Sequence, residues 1–333
     1  MEPPKRFEMT SFADISQQVD RFEQLLQSHG IQIRNRSDLE YGCLLLKQLL
    51  DDQRRAISGE RIAPSPGFRD ELQLALGVLN IIQLVLENAT HADFGALFPH
   101  LRLLGDGNPA QTTTSSPRDQ IANKLFELRL ALATLRSGTG LLLDDPVNSS
   151  DGANPDILCV MRDHRRWGLA CKVVHGDSPM SLFERIAEGV EQIERSNADI
   201  GMVVISLRNK LAHNELLPIV PGRSEETAYG VLPYWEIAQQ ALSETFRSRI
   251  AEMVQHVGRA AITEAFRGKK ALACVTCPLE TVSIIRTQHG RTPSFCSFLH
   301  TDTLEEGPTR FDQSVMAVLA DLNVGLVPGR PLP

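Results

Sequence analysis

Between Ser11 and about Leu104 the apolar residues recur at three- and four-residue spacing, as in Val19, Phe22, Leu25 and Leu26 and again in Leu72, Leu76, Leu79, Ile82 and Leu86. An α-helix turns once in about 3.6 residues, so this spacing predicts an all-helical N-terminal region over residues 1–104. Residues 105–117 (GDGNPAQTTTSSP) break the pattern with Gly, Pro, Ser and Thr, which predicts a linker and a domain boundary. A different order follows. It comprises a helix over residues 118–136, an apolar run over 140–143, strand-like runs over 156–161 and 167–174 joined by a turn at 163–166, a helix over 181–196 and the β-branched run IGMVVISL over 200–207. That is α-β-β-β-α-β, an α/β domain. Helices from Pro233 to Arg267, apolar runs over 271–285 and 294–299 and a last helix over 311–322 extend it to residue 333.

Composition narrows the function. With 333 residues, 42% hydrophobic and 23% charged, the chain is globular and long enough for about two domains. Its 34 basic residues against 41 acidic ones give a net charge of −7, so any nucleic-acid site must be a local patch. The longest apolar stretch, 72–86, is interrupted by Gln73, Asn80 and Gln83 and predicts no membrane span. The opening MEPPKRFEMTSFADI has no apolar leader core, so a cytoplasmic location and six free thiols are expected.

The candidate chemistry lies in the central block. Pro155-Asp156-Ile157 opens one strand, Leu169-Ala170-Cys171-Lys172-Val173 lies in the next, and Glu127 sits on the helix before both. Asp is depleted in strands, and a lysine inside an apolar strand needs a partner. The two-residue strand period puts positions 170 and 172 on one face. Together these residues resemble the PD-(D/E)xK nuclease superfamily, the restriction-endonuclease-like fold, over residues 118–207. The resemblance implies a mixed β-sheet flanked by helices and a site in which Asp156 and Glu127 hold Mg²⁺, or Mn²⁺ in its place. Lys172 there would orient water or stabilise developing charge. The activity implied is hydrolysis of nucleic-acid phosphodiester bonds, DNA favoured, with a role in restriction or phage defence, and a homodimer where both strands are cut.

Position 170, the usual acidic position of that motif, is Ala. Three readings are open: the acid has moved to another element, the domain is a non-catalytic pseudonuclease that binds nucleic acid or assembles, or an acid here has been replaced. On the following helix Leu182, Phe183, Ile186, Val190 and Ile193 mark the buried stripe, so Glu184, Glu188 and Glu191 fall on the solvated face and only Glu194 flanks the stripe. Asp144 and Asp145 read as a strand-end turn or as further ligands. Arg162, Arg165 and Arg166, with His164, form the expected phosphate-contact patch, and Lys210, with Arg208, Asn209 and His213, is placed beside it. Cys274, Cys277, Cys296 and His300 have the count of a zinc site, but their strand-like surroundings predict small buried hydrophobes instead.

Overall fold

A computed structural model describes residues 12–60, 67–109, 120–144, 146, 154–208, 211, 216–217, 232–287, 290–304 and 311–329. The helical spacing of the first hundred residues becomes α1 (Phe12–Ser28), α2 (Asp38–Ile57) and α3 (Phe68–Asn88). Helix α1 ends where Gly30 takes a φ of 69° and the Ile31 N–H reaches back to the Leu26 carbonyl, a closure that glycine permits without steric cost. Helix α3 packs against α1, α2 and the later helix α5. A 3-10 turn and the short helix α4 (Phe98–Leu101) then fold His100 fully inside. No strand occurs among the described residues before 139. Residues 110–119, most of the expected linker, lie outside the described residues.

The α/β part begins with α5 (Gln120–Leu135) and runs through β1 (Thr139–Leu143), β2 (Ile157–Val160), β3 (Arg166–Val173), α6 (Pro179–Arg195) and β4 (Ile200–Ser206). Helices α7 (Trp235–Val257) and α8 (Arg259–Phe266), strands β5 (Ala271–Thr287) and β6 (Gly290–Thr303) and helix α9 (Gln313–Gly325) follow. The strands lie in the order β1-β2-β3-β4-β5-β6 in one mixed sheet. Pairs β1·β2, β2·β3 and β5·β6 are antiparallel, whereas β3·β4 and β4·β5 are parallel. A parallel pair needs a crossover, and α6 supplies it between β3 and β4.

Alternation along the strands divides the core. Leu169, Cys171, Val173, Met202, Val204 and Cys274 face a cluster that also contains Val19, Phe22 and Val78 of the N-terminal helices and Val315 and Leu322 of α9. Ala170, Val203, Ile205, Val275 and Cys277 face the other side, under α6, α7 and α8. The sheet is thus buried on both faces, which explains the unbroken apolar run of β4. The N-terminal helices share one continuous core with the sheet. Helix α6 sits very close to β3 and β4, since a methyl group added at Gly189 would stand 2.9 Å from Val203 and 3.2 Å from the Ala170 Cβ. Among the described residues no helix is long and apolar enough to cross a membrane.

Candidate active site

Three elements bring the expected residues to one end of the β2–β3 pair. Ile157 pairs with Leu169 across the antiparallel ladder, so Asp156, one residue before β2, stands opposite Ala170. Its Oδ2 accepts a 2.6 Å hydrogen bond from the Cys171 N–H and lies 3.9 Å from the Lys172 ammonium. Glu127 arrives from α5, and its charge raises the proton affinity of Asp156. The sequence-predicted Glu127, Asp156 and Lys172 therefore share one nearly buried cleft; the side chains of Asp156 and Lys172 keep about 10% and 13% of their surface exposed, respectively.

Two further residues complete the cluster. Lys124, one helical turn before Glu127, donates a 2.9 Å hydrogen bond to Glu127 Oε2 and comes within 3.9 Å of Asp144 Oδ2. An i, i+3 spacing puts two side chains on the same helix face, so this pairing was available in the sequence. His100 Nε2 stands 3.1 Å from the same Glu127 oxygen. No sequence signal links His100 to Glu127, because the turn that buries it belongs to the N-terminal region. Asp144, just after β1, donates its N–H to the Asp156 carbonyl at 3.0 Å, which places it beside the site.

The electrostatics follow from crowding acids in a dry place. Burial, reinforced by Glu127, pushes the Asp156 carboxyl up to about 6, against the pull of Lys172, the Cys171 N–H and Lys124. Burial also works against the Lys124 charge, but Glu127, Asp156 and Asp144 more than offset it and hold the ammonium above its ordinary range. The Cys171 thiol is driven well above its usual value, first by burial and then by Asp156 and Glu127, and its place in the apolar core makes it inert.

A magnesium ion, which the resemblance implies, is a fair chemical match for part of this set. Only Oε2 of Glu127 and only Oδ2 of Asp156 take the contacts described above, so each carboxylate keeps one oxygen outside them. Mg²⁺ is commonly held by one or two carboxylates, with water and substrate phosphate filling the rest of its octahedron. The match stops at position 170. Ala170 has no oxygen, is fully buried and lies under Gly189. Among the described residues no three His, Cys, Asp or Glu side chains form a ready-made cage.

The other expected residues lie elsewhere. Arg162, Arg165 and Arg166 occupy the β2–β3 turn, at the opposite end of the ladder from Lys172; six residues of strand separate Arg166 from Lys172, about 20 Å at 3.3 Å per residue. Arg162 is ion-paired at 2.8 Å with Asp321 of α9. Arg165 bonds Asp163 at 2.8 Å and Ser314 at 2.6 Å. These two arginines fasten the hairpin to α9, and the exposed Arg166 is left facing solvent. Arg208 is buried against Glu280 at 2.9 Å, which corrects its expected place at a surface. Lys210, Asn209, His213 and Asp145 lie outside the described residues. Cys274 and Cys277 point to opposite faces of the sheet, so they share no metal.

Comparison with protein-family models, with curated proteins and with solved structures finds no match to this chain.

Proposed function

We propose that this chain is a metal-dependent endonuclease of the PD-(D/E)xK kind, hydrolysing phosphodiester bonds of nucleic acid, with DNA the expected substrate. The observation that carries the reading is the convergence of Glu127, Asp156 and Lys172, with Lys172 Nζ 3.9 Å from Asp156 Oδ2, at one end of an antiparallel pair that is followed by a parallel strand. The charge balance also supports a cation. Glu127, Asp144 and Asp156 face Lys124 and Lys172, and a phosphate would meet net negative charge unless a divalent ion came with it.

In this reading Glu127 and Asp156 hold the ion through the oxygens that their present contacts leave over. Bound there, magnesium would stabilise the charge that develops on the phosphoryl oxygens and raise the acidity of water. Lys172, fixed by Asp156, directs its ammonium toward the attacked phosphate and stabilises the same charge from the protein side. His100 and Lys124 orient the Glu127 carboxylate. Cutting both strands with one site per chain takes two copies, so a homodimer on DNA, acting in the cytoplasm in restriction or phage defence, belongs to the proposal.

One observation favours a second reading, a pseudonuclease that binds nucleic acid without cutting it. Position 170 offers only a methyl group, packed beneath Gly189. Plasmid and single-stranded DNA incubated with Mg²⁺ separate the two. Cleavage by the chain itself, lost in Asp156→Asn and Lys172→Ala, supports the endonuclease. Binding without cleavage, with cleavage switched on by Ala170→Glu, supports the pseudonuclease. Neither cleavage nor binding by the chain or by Ala170→Glu, on DNA or RNA, sinks both.

A further inference from the structure

The carboxylate missing from position 170 has a counterpart on the other side of Asp156. The β1·β2 register pairs Leu143 with Ile157, and the β2·β3 register pairs Ile157 with Leu169. One residue further along, Asp144, Asp156 and Ala170 stand side by side across three strands, and the 3.0 Å hydrogen bond from the Asp144 N–H to the Asp156 carbonyl fixes the first of these neighbours. Directly opposed residues of an antiparallel pair have Cβ atoms about 4.5–5.5 Å apart on one face. Asp144 and Ala170 therefore flank Asp156 from β1 and β3 at similar range. A carboxylate at 144 reaches the same space as one at 170.

Helix α6 offers no such substitute. Glu184 and Glu188 are exposed, Glu191 is paired with Lys269 at 2.9 Å, and Glu194 Oε2 accepts the Lys270 N–H at 3.0 Å. Of the candidate positions raised by the absence of an acid at 170, Asp144 is the one the fold carries to Asp156.

Between these carboxylates stands an ammonium. Lys124 Nζ is 2.9 Å from Glu127 Oε2 and 3.9 Å from Asp144 Oδ2. Its four-carbon stem is flexible, and an ammonium makes point contacts rather than a planar fork, so it can leave without dismantling the strands that hold the acids. We infer that Asp144 is the third carboxylate of this site, and that Lys124 is a tethered counter-ion that a divalent cation displaces on entering. The inference rests on the reading of the cleft as a divalent-ion site.

The test measures metal binding on the full chain, with Mn²⁺ as the probe, by electron paramagnetic resonance of the free ion. Lys124→Gln should bind Mn²⁺ at least tenfold more tightly than the unaltered chain. Asp144→Asn should bind it at least tenfold more weakly, and Glu191→Gln, on the outer face of α6, should bind it as the unaltered chain does. Unchanged affinity in Asp144→Asn overturns the role of Asp144, and unchanged or weaker affinity in Lys124→Gln overturns that of Lys124. Should Lys124→Gln not fold, thermal melting of the other two chains decides: Mn²⁺ should raise the midpoint of the unaltered chain and not that of Asp144→Asn, and equal rises overturn the inference. The two claims fail separately. Affinities that shift as stated while no chain cuts DNA leave the inference standing and remove the nuclease reading. Cleavage that persists in Asp144→Asn, with its Mn²⁺ affinity unchanged, does the reverse.

Discussion

The protein buries two clusters of charge, and they are built in opposite ways. Around Glu280 two arginines converge: Arg129 Nε is ion-paired with Oε1 at 2.7 Å and Arg208 Nη1 bonds Oε2 at 2.9 Å, while Ser297 donates to Oε1 at 3.1 Å. Arg129 also reaches Asn80 at 2.8 Å, and both guanidiniums lie over the Phe295 ring. Both oxygens of Glu280 are taken. Around Asp156 and Glu127 the partners are lysines, only one oxygen of each carboxylate is engaged, and acids outnumber ammoniums. A planar guanidinium locks a carboxylate in fixed geometry, whereas an ammonium is a mobile point charge. The first cluster thus fastens α3, α5, the end of β4 and the β5–β6 hairpin together. The second holds charge that a ligand can still compensate.

That contrast sets the order of expected effects. Glu280→Gln leaves two buried guanidiniums facing a neutral group and should cost about 3–5 kcal/mol in urea unfolding, the range for breaking a buried pair. A loss under 1 kcal/mol would show that the network fastens nothing.

Asp156→Asn should act the other way at high pH. The folded-state pKa of about 6 lies above the ordinary 3.8, so the folded chain holds the proton more tightly than the unfolded one. Stability from this group is full below about pH 4 and is lost as pH rises through about 6. The Asn variant, which cannot ionise, should therefore gain on the unaltered chain by about 3 kcal/mol between pH 4 and pH 8, from 6 − 3.8 = 2.2 units at about 1.4 kcal/mol each. Unfolding curves at the two pH values check it; equal differences would mean that Asp156 is not strained by its neighbours.

The arginine hairpin should respond least. Asp321→Asn removes the partner of a half-exposed Arg162 and should cost about 1 kcal/mol or less, measured by thermal melting. Arg166→Ala should stay within about 0.5 kcal/mol and leave DNA cleavage unchanged. A drop in cleavage on that change would carry the nucleic-acid path to the far end of β2–β3.

Periodicity along the chain was enough to order the elements from α5 to β4, because two-residue and 3.6-residue patterns are local. Asp156 and Lys172 were also legible, each being a residue type that its strand disfavours unless something nearby repays it. Lys124 was legible in principle from its spacing to Glu127. His100 was not, since 27 residues and an irregular turn separate it from Glu127. The fates of Arg162 and Arg165 were hidden for the same reason: Asp321 and Ser314 lie 159 and 149 residues away. Composition marked three arginines in one turn as a patch, and only tertiary contact shows that two of them are fasteners. Position 144 was read as a turn because β1 ends there, and its nearness to Asp156 depends on strand register.

The most direct measurement is Mg²⁺-dependent cleavage of plasmid DNA by the full chain, compared with Lys172→Ala and Arg166→Ala. The account predicts nicking or linearisation that EDTA stops, falls about 100-fold or more in Lys172→Ala, as for loss of a charge-stabilising donor, and is unaltered in Arg166→Ala. Cleavage that ignores Lys172, or no cleavage with Mg²⁺ or Mn²⁺ under any condition, would contradict it.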